Sequence, residues 1–439
     1  MYLISKQWRV LLLVAVLALV AAACSSASTD DVADSETTTT AGSSATTEVP
    51  SAEGPILIGG LGPLSEPGAV AAGIDMEWAM ELAVADVNAA GGVLGRDIAL
   101  TFADTQNTPE IAASIAKKLI DEDKVVAVVG EYHSGAALAA IPVYSEAGMP
   151  VVFSETWSDN ITGGDPDDPQ NLPEQPPTIF RIAPTSSYFS SFAADWMING
   201  VNADKIVLIY EATDFGIGTE EALAAQLEGS GAELVSFQVE LNQPDYSSVL
   251  ARIAEEHGDA DIVFLGGVTG DSSYTVTQNS FDVGLIDDDT ICFTNFTASQ
   301  TEAYWASVPD GAGCAFVYIG PAPSSYNETT ARVADAYTAK FGGPPGPWVF
   351  ETYDSIWLVA DAIERAGSTD SAAIVKALES TTFVGSQGAY EFPYGSGNTN
   401  TPDGKPWLWH QWPEPAISMV QYTETGQSLG DAAVIWPSS

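Results

Sequence analysis

The chain has 439 residues, 46% of them hydrophobic, with 59 Asp and Glu against 14 Lys and Arg and a net charge of −45. That length and apolar content allow two packed lobes. The charge argues against nucleic acid and anionic lipid headgroups as partners, because like charges repel.

Lys6 and Arg9 form a basic start, and residues 10–20 are an unbroken apolar run too short to span a bilayer. Ala21-Ala22-Ala23-Cys24 follows. This resembles a bacterial lipoprotein signal, 1–23, which implies cleavage before Cys24 and a lipid on that cysteine. Ala21 stands where such signals more often carry Leu. An ordinary signal peptide or a retained anchor is the alternative. Loss of Lys6 and Arg9 takes the charge from −45 to −47. Export is expected either way, with Cys24 tying the protein to the outer face of the cell membrane. Residues 24–54, rich in Ser, Thr and acids and free of aromatics, are expected to be a disordered tether. Cys292 and Cys314 remain, and an exported chain favours their pairing, with two buried thiols as the alternative.

From Pro55 strands and helices alternate. Residues 56–59 read as a strand. Met76, Ala79, Met80, Ala83 and Val87 share one face of a helix over 75–88. Residues 98–103 are the next strand, and Thr108-Pro109 opens a helix to about residue 122. Residues 125–129 are β-branched and apolar, the pattern of a buried parallel strand. A polar turn, a helix over 136–147 and a strand at 151–153 follow. This unit puts Tyr132, His133 and Ser134 beside Glu155, Thr156 and Trp157 at the carboxyl ends of two neighbouring strands, where open parallel sheets bind ligands. The helix behind His133 and Ser134 offers free N–H groups. Residues 163–177 read as an acidic surface insertion, with a calcium site on Asp165, Asp167 and Asp168 as the alternative.

The alternation restarts with strands at 205–210, 234–239, 261–265 and 290–293 and helices at 216–228, 246–257 and 271–283. Helices at 331–341, 350–366 and 371–378 follow. The tail from Ser386 reads as loop-rich, and Trp407, Trp409 and Trp412 are either a binding platform or packing aromatics. Two runs of strand and helix joined near residue 182 imply an α/β fold of two lobes.

Three stretches, IGGLGPLSEPG, ELAVADVNAAGGVLGR and VVGEYHSGAALAAIPVYSEAGMPVV, resemble the type I periplasmic solute-binding proteins. The leucine/isoleucine/valine receptors of ABC importers are the nearest branch, and the likeness covers most of residues 55–385. It implies two doubly wound parallel-sheet lobes joined by a three-stranded hinge. Lobe one would hold 55–182 and 320–384, and lobe two 183–319 and 385–439. Tyr353-Asp354 would lie near the hinge. The family implies a monomer that closes on a small ligand and delivers it to an ABC permease. A sensor presenting its ligand to a membrane receptor is the alternative.

Carried over position by position, Ser134 matches a hydroxyl that contacts the ligand carboxylate. Trp157 falls where those receptors have Thr. Phe215 matches an aromatic that covers the ligand, and Val268 replaces a Tyr. Asn295 stands where they place a Glu for the ligand ammonium. Glu155 and Asp271 are acids that either replace that anchor or are solvated. Trp157 and Phe215 would sandwich the ligand. The ligand is thus expected to be an amino acid held by a substitute acid, or a neutral amide or urea-like solute suited to Asn295. No G-x-S-x-G elbow or phosphate loop occurs, and His133, His257 and His410 form no zinc motif. No catalytic residue, metal or cofactor is expected.

Overall fold

Residues alternate between two helical layers along every central strand. In β1 (Ile56–Gly62), Ile56 and Ile58 join one core cluster while Leu61 joins another. Ala127 and Val129 of β3 (Ala127–Gly130) face the first cluster and Val128 the second. A parallel sheet covered on both faces needs this continuous apolar character. The computed structural model describes residues 54–67, 69–163, 176–295, 299–301, 303–321, 325–402, 405–413 and 415–437. The leader, Cys24, most of the tether and the three acids Asp165, Asp167 and Asp168 lie outside the described residues.

The first sheet runs β2-β1-β3-β4-β5, all parallel, with β2 at Ile98–Asp104, β4 at Val151–Phe153 and β5 at Ile179–Arg181. One face carries the helices Val70–Ala89, Pro347–Ala366 and Ser371–Leu378. The other carries Pro109–Lys118, which ends in a wider π-helical turn at Leu119–Asp123, and Ser134–Ala147. The NAAGGVLGR stretch works as a clasp. Asn88 bonds both backbone groups of Ile98 at 2.8 and 2.9 Å, and Arg96 donates to the Gly54 carbonyl.

The second sheet runs β14-β13-β10-β9-β8-β6-β7. Its parallel part is β6 (Lys205–Glu211), β7 (Glu233–Val239), β8 (Ile262–Gly267), β9 (Ile291–Phe293) and β10 (Ala315–Ile319). The tail, expected to be loop-rich, adds two antiparallel strands, β13 (Ile417–Gln421) and β14 (Ala433–Trp436), with β11 (Val384–Gly385) and β12 (Gly388–Ala389) forming a separate ribbon. Their short runs show no long alternation, and the edge of β10 selects them. Earlier in the tail, Tyr390, Phe392 and Trp412 enter the core of the first sheet, so the tail divides between the lobes.

The chain passes between the sheets after β5, after β10 and again after Trp412. Arg181 sits at the first passage and exchanges backbone hydrogen bonds with the third, through His410 and Trp412. Trp409 and Trp412 are packing aromatics. Trp409 donates to Pro176 at 3.1 Å, and Trp412 donates to Ala389 and lies 4.5 Å from the Tyr390 ring.

Cys292 and Cys314 are bonded, 22 residues apart. Closing a loop of that length in the unfolded chain is worth about 3 kcal/mol. Replacing both cysteines with Ala should lower unfolding stability by that order in denaturant titrations. Intact mass after alkylation without reductant checks the bond, and labelling at both positions would contradict it.

Candidate functional site

The turn after β3 builds one wall of a cleft. Gly130 has φ +99, and a Cβ there would lie 2.4 Å from the Leu61 carbonyl oxygen, so only glycine fits the turn. Glu131 follows with φ +66, and its Oε1 accepts from the backbone N–H of Tyr132 at 3.0 Å and of His133 at 3.1 Å. Burial pushes the Glu131 carboxyl up to about 7. The turn delivers Tyr132, His133 and Ser134 to the start of the Ser134–Ala147 helix.

The second wall follows β4. Ser134 Oγ accepts from the backbone N–H of Trp157 at 3.0 Å and of Ser158 at 3.1 Å. A hydroxyl has two acceptor positions and one proton. Both acceptor positions are engaged, so the proton is what Ser134 offers to a ligand. Ser134→Ala should strand two buried N–H groups at about 1–3 kcal/mol each. A melting temperature equal to wild type would contradict this geometry.

The second lobe closes the cleft with Phe215, at the start of the Asp214–Leu227 helix, and with Thr269. Its approach is tight. A Cβ on Gly135 would stand 2.8 Å from Asp214 Oδ2. Thr269, which the sequence reading did not single out, is held by Glu211 Oε2 through its N–H and hydroxyl, both at 2.7 Å. Tyr132, His133, Ser134, Glu155, Trp157, Phe215 and Thr269 together line a narrow cavity of about 20 Å³. That volume suits a water molecule, so a leucine-sized ligand requires the lobes to part.

The other expected site residues lie elsewhere. Thr156 is fully buried outside the lining, with its carbonyl 3.4 Å from an Arg181 nitrogen. Val268 belongs to the core of the second lobe. Asn295 is buried and donates to the Gly266 carbonyl at 3.0 Å. Asp271 is exposed, on a neighbouring groove beside Tyr274 and Thr301. Trp157 and Phe215 meet edge to face, 6.3 Å between ring centres and 79° between planes, so they form an apolar corner rather than a sandwich.

Glu155 is the acid inside the cleft. It is 3% exposed, and its Oε2 has no hydrogen-bond donor. Burial raises it to about 7, against the opposing effect of its neighbours, the Glu351 carboxyl and the Trp157 indole. Glu351, on the Pro347–Ala366 helix, is 1% exposed and raised well above the carboxylate range by burial, the nearby Glu155 and, further off, Asp354. Asp354 is occupied by the loop after β11, accepting from Ser386 N–H, Ser386 Oγ and Tyr390 Oη at 2.7–2.9 Å. His133 is buried, its Nδ1 lacks a partner, and burial pushes it down to about 4, so the ring is neutral. No group of three His, Cys, Asp or Glu among the described residues is placed to hold a metal.

The family described as periplasmic binding protein matches residues 55–410. An "Amino acid binding protein" of Pseudomonas aeruginosa is 27% identical over 330 residues, covering 74% of this chain and 82% of that one. "Leu/Ile/Val-binding protein homolog 3" of Brucella melitensis is 26% identical over 373 residues, covering 84% and 88%. In fold, the chain is similar to the branched-chain amino acid transporter substrate-binding protein LivJ from Streptococcus pneumoniae, solved with isoleucine. The TM-score is 0.70 at 22% identity, covering 87% of this chain and 98% of that one.

Proposed function

The chain belongs to the periplasmic binding protein family, and we propose that it captures an amino acid, branched-chain aliphatic in the first instance, between its two lobes for delivery to an ABC permease. The observation that carries this is the cleft. It sets a hydroxyl donor, Ser134, at a helix start and a buried acid, Glu155, beside an apolar corner of Trp157 and Phe215. A carboxylate, an ammonium and an aliphatic side chain are the three groups such a cleft complements. Relatives named for leucine, isoleucine and valine support the reading. The neutral-amide reading rested on Asn295, which is committed to Gly266.

A thermal-shift screen over the common L-amino acids, small amides, urea and polyols tests this. A true ligand at a hundred times its Kd stabilises by about 2.7 kcal/mol. We expect leucine, isoleucine or valine to raise the melting temperature with concentration. Stabilisation by urea or amides alone would reject the reading. Lobe closure should shrink the radius of gyration in solution scattering, and superimposable profiles at saturating leucine would oppose it. Membrane attachment is proposed to run through lipid on Cys24. Cys24→Ser should release the chain from membranes, and unchanged retention would oppose that. Cross-linking in cells should recover permease subunits, and recovery of a sensor receptor instead would redirect the delivery step.

A further inference from the structure

Two carboxyl groups neighbour each other behind the cleft wall: Glu155, from the segment after β4, lines the cavity, and Glu351, from the Pro347–Ala366 helix, lies within hydrogen-bonding reach of it outside the lining. Both are buried, at 3% and 1% exposure. The groups acting on them are each other, the Trp157 indole, the Gln387 side chain and Asp354. The Tyr390 hydroxyl, bonded to Asp354, feels the charge of Glu351, and the neutral His133 lines the same cavity as Glu155. None of these is a cation, and no ion pair among the described residues includes either acid. Two adjacent buried carboxyls without a cation cannot both ionise, so the pair retains a proton. Neither Glu155 Oε2 nor either Glu351 oxygen meets a protein donor by geometry, and Glu155 lines the cavity.

We propose that Glu155 and Glu351 form a one-proton acid pair that serves as the cation subsite of the cleft, exchanging its shared proton for the ammonium of an arriving amino acid. This rests on the proposed function and adds a proton to its binding equilibrium. The balance is simple. A singly protonated pair and an ammonium give two carboxylates, the bound ammonium and one proton released to solvent. Glu155 touches the ligand. Glu351 is a positioning residue, since it acts through Glu155. The ammonium replaces the proton as the positive charge that lets both acids stay buried. Affinity therefore rises with pH, up to tenfold per unit while the pair still holds its proton, and levels off once the pair is ionised beforehand.

The test is calorimetry of L-leucine, L-isoleucine and L-valine from pH 5.5 to 8.5, in buffers of different ionisation enthalpy. Wild type should release close to one proton per ligand at pH 6, with Kd falling at least tenfold by pH 8. Glu351→Gln should still release a proton, but with the midpoint of the release and of the pH profile moved, since Glu155 then titrates alone; a midpoint unchanged from wild type would overturn the pairing. Glu155→Gln should bind at least a hundredfold more weakly. In infrared spectra, the ligand-free protein at pH 7 should show a buried protonated carboxyl band that is weaker in Glu351→Gln, Glu131 supplying part of what remains. Tight binding with no proton release and a flat wild-type profile would overturn the acid pair while leaving the proposed function standing. Failure of all three amino acids to bind at every pH would overturn both. If Glu351→Gln does not fold, the wild-type proton count alone decides.

Discussion

Arg181→Ala should lower folding stability by about 3–5 kcal/mol, the usual consequence of removing one partner from a buried charged network. Arg181 is fully buried at the last residue of β5. Its Nε donates to Gln411, one terminal nitrogen donates to the Ser158 carbonyl, and the other donates to Thr162 Oγ1 at 3.0 Å. Gln411 in turn donates to the Ala183 carbonyl at 2.7 Å and the Trp412 carbonyl at 2.6 Å. The guanidinium thus ties two crossings between the lobes to the backbone that carries Trp157. Burial pushes its pKa down to about 10, with Asp159 opposing, and it remains charged. The substitution also leaves Asp159 without its cationic neighbour. Denaturant unfolding of the variant measures the loss. A change below 1 kcal/mol would show that the network does not hold the hinge.

The ligand-free protein should be more stable at pH 5.5 than at pH 8, by an amount on the order of 5 kcal/mol. Burial raises Glu131 and Glu155 to about 7 and Asp75 and Asp354 to about 6, and raises Glu351 as well. The unfolded chain titrates these groups near pH 4. Between the two ranges the folded protein binds more protons. The associated stability is complete below the unfolded pKa values and is lost as pH rises through 6 to 7. His133, pushed down to about 4, works the other way, its contribution being lost as pH falls from about 6.5 toward 4. Five carboxyls outweigh one imidazole in this window. Relief of the net charge of −45 acts in the same direction, so the control is Glu351→Gln, which should make the profile shallower by the share of one carboxyl. Melting curves from pH 5 to 8.5 measure both. A wild-type profile that rises with pH, or a variant profile identical to wild type, would contradict the ionisation account.

The central unit of the fold was legible because local pattern and tertiary role agree there. The β-branched run before Gly130, the small-residue helix and Val151–Phe153 form a strand, a helix and a strand close to the expected places, with Tyr132–Ser134 and Trp157 in one cleft. The tail strands β13 and β14 were not legible, since β14 pairs with β13, and β13 takes its place on β10, about 100 residues away. Glu351 was missed because its helix reads as core. A signal was nonetheless present. Glu351, Asp354 and Ser355 recur at i, i+3 and i+4, and with Thr352 they put a polar patch on the buried face of a mostly apolar helix. The substitute for the amine anchor was sought at Glu155 or Asp271, with Asn295 standing where a distant alignment puts the family's Glu. Packing assigns Asn295 to Gly266 and leaves Asp271 in solvent, while Glu155 is the acid that reaches the cleft.

The most direct test of the account is a calorimetric comparison of L-leucine with 4-methylpentanoate, its analogue without the amine, on wild type and on Glu155→Ala. The account predicts micromolar or tighter leucine binding to wild type, at least a hundredfold weaker binding of the analogue, and a matching loss for leucine on Glu155→Ala. Tight leucine binding that survives Glu155→Ala unchanged would contradict it.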